Sequence, residues 1–62
     1  MITYQIIETD GGLMVSEVQP GVSAEVAAER AGGVIVDPGP YRSYEEAYDA
    51  LLALAEQMDT EE

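Results

Sequence analysis

The chain opens on "ITYQIIET", residues 2–9, where β-branched and aromatic residues dominate and predict a strand. Asp10-Gly11-Gly12 breaks the pattern and predicts a hairpin, because glycine accepts positive φ at little cost. "LMVSEV", residues 13–18, resumes as a second strand. One hairpin face would carry Ile2, Tyr4 and Ile6, with Leu13 and Val15 or Met14 and Val18 opposite. The two glycines leave the register open.

Pro20-Gly21 ends the second strand. Ser23 is placed to cap a short helix, "AEVAAERA", which Gly32-Gly33 closes. Val22, Val26 and Ala27 are its expected core face, with Glu25 and Glu29 four residues apart outside. "GVIV" reads as a short buried third strand, and "DPGP" is expected to stop it. The last element carries the strongest signal. Ser43 and Glu46 form the S-x-x-E pattern of a capping box. Tyr44, Ala47, Tyr48, Leu51, Leu54, Ala55 and Met58 then recur at helical spacing on one stripe. The order strand-strand-helix-strand-helix predicts an α+β fold: a small antiparallel sheet with both helices packed on one face. It is read as a single domain over residues 1–62, with residues 59–62 a frayed acidic tail.

Composition limits what such a domain can do. At 62 residues and 47% apolar content, the chain is too hydrophobic for a disordered segment but sustains only a modest core. It has no cysteine and no histidine, so neither a disulfide nor a zinc site is expected, and no cofactor. "MITYQIIETD" lacks the basic start and long apolar stretch of a signal peptide, which makes the cytoplasm the expected location.

Charge changes the picture most. Thirteen acids face only Arg30 and Arg42, for a formal net charge of −11. A small domain needs a net charge of only about 2 to 8 in magnitude for solubility. This balance disfavours direct contact with nucleic acid or an anionic membrane and favours a basic partner. Residues 43–62 concentrate the acids at Glu45, Glu46, Asp49, Glu56, Asp59, Glu61 and Glu62. Like charges at i,i+4, as at Glu45–Asp49 and Glu25–Glu29, destabilise a helix by roughly 0.2–0.5 kcal/mol per pair. Stability therefore does not explain the pattern.

The candidate partner-binding residues are Glu45, Glu46, Asp49 and Glu56, supported by Glu25, Glu29 and Asp59. Tyr41 and Tyr44, at the start of the last helix, are candidate aromatic anchors. Tyr48 is expected in the core, and Arg42 is expected to pair with a nearby carboxylate. Catalysis is not expected. Ser16, Ser23 and Ser43 have no histidine to activate them, and the chain lacks the lysine that a Schiff base or a phosphate loop requires. The spacing of a calcium loop is also missing.

Three resemblances bear on function. "YQIIETDGGLMVSEVQPGV", followed later by "SYEEAYDALLALAE", resembles HicB-type antitoxins, which implies neutralisation of a basic RNase toxin. "VIVDPGPYRSYEEAYDALLAL" is similar to the last strand–helix unit of SPOR peptidoglycan-binding domains. In size, acidity and lack of catalytic residues the whole chain resembles anti-CRISPR proteins and other DNA mimics. That likeness implies binding to the nucleic-acid-binding surface of a ribonucleoprotein such as a CRISPR effector complex. The leading expectation is a non-enzymatic DNA mimic of this kind. The alternatives are an antitoxin, a halophile's domain whose acids serve hydration in brine, and a small peptidoglycan- or peptide-binding module.

Overall fold

Thr3–Thr9 and Gly12–Val18 form strands β1 and β2, paired antiparallel with Thr9 opposite Gly12. The computed structural model describes residues 1–59. The side chains of Met58 and Asp59 lie outside the described residues, as do residues 60–62 of the tail expected to fray, whereas the backbone of Asp59 is the last residue of a helix. The hairpin turn forms where expected, but the positive φ falls on Gly12, at 115°, rather than within Asp10-Gly11. The turn is also held by side-chain bonds: Gly11 N donates to Thr9 Oγ1 at 3.2 Å, and Thr9 Oγ1 donates to the Gly12 carbonyl at 3.3 Å.

Helix α1 (Ala24–Arg30) starts as expected, with Ser23 Oγ accepting from Val26 N at 3.2 Å. It ends in a Schellman arrangement, Gly33 N bonding the Ala28 carbonyl and Gly32 N the Glu29 carbonyl, both at 3.0 Å. Strand β3 (Val34–Tyr41) and helix α2 (Tyr44–Asp59) complete the chain. The sheet order is β2-β1-β3, with β1 antiparallel to both neighbours. The α+β class and the element order are thus as expected.

β1 is the central strand, and Gln5, Ile6 and Ile7 in its middle are all fully buried, at 0% exposure. Successive strand residues point to opposite faces, so three in a row require cover on both sides. The contacts supply it. Gln5 Nε2 donates to the Ala24 carbonyl at the start of α1, at 3.0 Å. Tyr4, on the other face, meets the Tyr44 ring of α2 edge-on, with centroids 6.1 Å apart. The helices therefore pack on opposite faces, not together on one. The adjacent pair Ile6-Ile7 requires this, since one helix hides only one of the two.

Two further expectations are corrected. Val22 and Ala27 are half-buried as expected, but Val26 is exposed, and the core face of α1 itself is built from alanine, with Ala28 buried and Ala24 half-buried beside Ala27. Small side chains let the helix approach closely enough for the Gln5 amide to reach its backbone. The third strand, moreover, is not stopped by "DPGP" but runs through it to Tyr41. β3 is an edge strand with register shifts against β1 between Tyr4 and Ile7, so Pro38 and Pro40 remove no essential ladder donor.

Gln5 is the polar exception in the core. Its Nε2 is bonded, but Oε1 has no partner among the described residues. Losing a hydrogen bond costs about 1 kcal/mol, whereas removing an unsatisfied buried acceptor regains about 1–3 kcal/mol. Gln5→Met, close in volume, should accordingly leave stability unchanged or raise it. Ile6→Ala or Ile7→Ala should cost about 2–5 kcal/mol. That is a large share of the few kcal/mol expected for a core this small. Urea denaturation followed by circular dichroism measures all three.

Candidate partner-binding surface

Ser43 caps α2 as expected, but the Glu46 side chain reaches back to the backbone N–H of Arg42 rather than to that of Ser43. Glu46 N donates to Ser43 Oγ at 3.2 Å, and Arg42 N donates to Glu46 Oε1 at 3.1 Å. The Glu46 carboxylate thus has a local task, accepting from the backbone just ahead of the helix. Inside the helix Ala47 is fully buried, while Leu51, Leu54 and Ala55 are half-buried against the sheet. Tyr44 and Tyr48 belong to the flank of this stripe, at 56% and 45% exposure. Tyr48 is therefore a surface residue, contrary to the expectation that it fills the core.

At about 100° per residue, Glu45, Asp49 and Glu56 fall within an arc of roughly 40° on the outward side of α2. All three are exposed, and none has a hydrogen-bond or ion-pair partner among the described residues. They are spread over about 16 Å of helix axis. Leu52, 45% exposed, lies about 20° outside that arc, on the side of Tyr48. Tyr44 and Tyr48 stack alongside, with rings 6.1 Å apart and planes within 13°. Tyr4 meets the Tyr44 ring from β1, so the aromatic pair is braced from the sheet. The result is a rigid strip in which unpaired carboxylates border an exposed aromatic and aliphatic patch. Tyr48 was missed from sequence because its spacing also fits the buried stripe, whereas Leu52 lies outside that stripe and is an apolar residue on the exposed side.

The other candidates lie elsewhere. Glu25 and Glu29 are exposed on α1, across the sheet from α2, so they do not extend the same strip. The side chain of Asp59 lies outside the described residues. The Arg42 guanidinium pairs with no carboxylate, and neither does that of Arg30, among the described residues. Without such pairs, no cation among the described residues neutralises Glu45, Asp49 or Glu56.

Tyr41 is turned inward. It is half-buried, and its hydroxyl donates to Asp37 Oδ2 at 2.6 Å. Asp37 Oδ1 accepts from Gly39 N at 3.2 Å, so one carboxylate closes the "DPGPY" bend from both ends. Gly39 sits at φ 71°, and a Cβ there would meet Tyr41 N at 2.6 Å and the Tyr41 ring at 2.8 Å. Tyr41 therefore shapes the entry into α2 and is not free to act as an anchor. Its hydroxyl pKa is raised, first by the bond to Asp37, then by burial and by the negative charges of Asp37 and Glu46. The aspartate four residues ahead of a tyrosine, with Pro-Gly between, is the sequence signal for this brace.

Among the described residues no group of three or more His, Cys, Asp or Glu side chains is placed to hold a metal ion. No helix among them is long and apolar enough to cross a membrane. No family model, curated protein or solved structure matches the chain.

A raised folded-state pKa means that the stability it contributes is complete below the unfolded tyrosine value of 10.0. That contribution is lost as pH rises through the higher folded value. Tyr41→Phe should therefore cost about 1 kcal/mol at neutral pH. The gap from the parent protein should close at alkaline pH, and paired urea titrations from neutral to strongly alkaline pH read that difference.

Proposed function

We propose that this protein is a non-enzymatic inhibitor that occupies the cationic nucleic-acid-binding surface of another protein. The observation that carries this reading is the α2 strip, where Glu45, Asp49 and Glu56 are exposed and unpaired beside Tyr44 and Tyr48. Glu45 and Asp49 are separated by about 6 Å along the helix axis, and Asp49 and Glu56 by about 10 Å. Phosphates of one DNA strand advance by about 3.4 Å along the duplex axis, so the carboxylates present charge at intervals of two to three phosphates. Lys and Arg side chains arranged to hold a nucleic acid would meet this strip favourably. The net charge of −11 would accelerate the encounter. Most specifically, we propose an anti-CRISPR-type DNA mimic acting on a CRISPR effector complex in the cytoplasm.

The hairpin and capped helix that resemble HicB-type antitoxins support a second reading, in which the basic partner is a small RNase toxin. Capture from a lysate of the native host separates the two. A DNA mimic retains a ribonucleoprotein that added double-stranded DNA displaces, and an antitoxin retains one small basic protein. A chain that unfolds at about 50 mM salt, where screening is weak, would instead be a halophile's hydrated domain.

Stability and binding should move in opposite directions at Asp49. Asp49→Lys replaces a like-charge neighbour of Glu45 with a favourable Glu-to-Lys i,i+4 pair. It should stabilise the fold by about 0.4–1 kcal/mol. The same substitution should weaken partner capture, and triple reversal at Glu45, Asp49 and Glu56 should abolish it with an unchanged circular dichroism spectrum. Full capture by the folded triple variant would refute the proposed role of the strip.

A further inference from the structure

The two edges of the sheet are protected unequally. The β3 edge contains Pro38 and Pro40, which carry no N–H donor, and its register shifts against β1. Such features stop another strand from adding to a sheet. The β2 edge has none of them. Gly12–Val18 keeps continuous register with β1 and contains no proline and no lysine.

The hairpin geometry shows which backbone groups this edge presents. A two-residue loop is closed by a pair that exchanges both backbone bonds, here Thr9 and Gly12. Counting alternately from that pair, the N–H and C=O groups of Leu13, Val15 and Glu17 turn away from β1. No backbone bond from these residues to a group outside the sheet occurs among the described residues. The Glu17 carbonyl receives only a long 3.5 Å contact from Ser16 Oγ.

We propose that the β2 edge accepts an added strand from a second protein, an extended segment alternating apolar residues with Lys or Arg. Leu13 and Val15 are half-buried aliphatic side chains on one face of this edge, Met14 is exposed on the other, and Glu17 supplies an exposed negative charge. Basic residues complement Glu17 and the overall charge. A second copy of the chain would bring another −11 to the same edge. The inference does not rest on the α2 strip, which belongs to a different element.

The test uses the isotope-labelled full chain and a blocked synthetic peptide, Val-Lys-Val-Arg-Val-Lys. Its control is the same peptide N-methylated at every residue, which keeps the charge and removes the ladder donors of both peptide edges. The unmodified peptide should slow amide exchange at Leu13, Val15 and Glu17 by about tenfold or more. The methylated peptide should not, and the β3 edge should be unaffected by either. Glu17→Pro deletes an outward N–H and should abolish protection at Leu13 and Val15, whereas Glu17→Gln should retain part of it. Should the proline variant unfold, the comparison of the two peptides on the parent protein still decides. Equal effects of both peptides, or changes confined to α2, would mean attraction by charge alone and overturn the proposal. Protection of the same amides that grows with protein concentration, without peptide, would assign the edge to a second copy and overturn it equally.

Discussion

The architecture depends on the burial of β1 from both sides. Ile6 and Ile7 are adjacent, point to opposite faces and are both fully enclosed. Each such side chain contributes about 1.5–3 kcal/mol when removed from water, which is a large increment for a chain this short. The order β2-β1-β3 is one in which this strand is flanked on both edges. α1 crosses one face in passing from β2 to β3, and α2 then covers the other. With its inner stripe committed to the sheet, α2 turns the face bearing Glu45, Asp49 and Glu56 to solvent.

That geometry also separates the charges. Thirteen acids in 62 residues suggest a uniformly negative coat, but the fold distributes them by role. Glu46 and Asp37 accept backbone hydrogen bonds that shape the approach to α2. Glu25 and Glu29 belong to α1 on the far side. Only Glu45, Asp49 and Glu56 combine exposure, lack of a partner among the described residues and a common face beside exposed aromatic rings. The i,i+4 repulsion between Glu45 and Asp49 is tolerated at a few tenths of a kcal/mol. A surface selected for stability alone would place a lysine at one of the two positions.

Much of this was legible in the residues. Local signals located the hairpin at Asp10-Gly11, the caps at Ser23 and Ser43, and the Gly32-Gly33 exit from α1, because each depends on neighbouring backbone chemistry. Non-local packing was harder to read. The pair Ile6-Ile7 already implied two covered faces, yet the amphipathic helices alone did not say which face each would take. Proline at 38 and 40 looked like a stop because the edge position of β3, which makes proline harmless, is a property of the whole sheet. Tyr48 fitted the helical stripe by spacing. Its exposure follows from the angle at which α2 sits on the sheet, with Ala47 fully buried and Tyr48 on the flank. The partnership of Asp37 with Tyr41 was written in "DPGPY" but overshadowed by the prolines.

The central claim is that the α2 carboxylates meet cations fixed on another macromolecule, and ionic strength tests it most directly. Affinity for the captured partner should be measured by calorimetry at about 50 mM and about 200 mM salt, the range over which phosphate-binding surfaces lose most of their hold. The account predicts a fall on the order of tenfold or more between the two conditions. An affinity that does not change between the two conditions would contradict it.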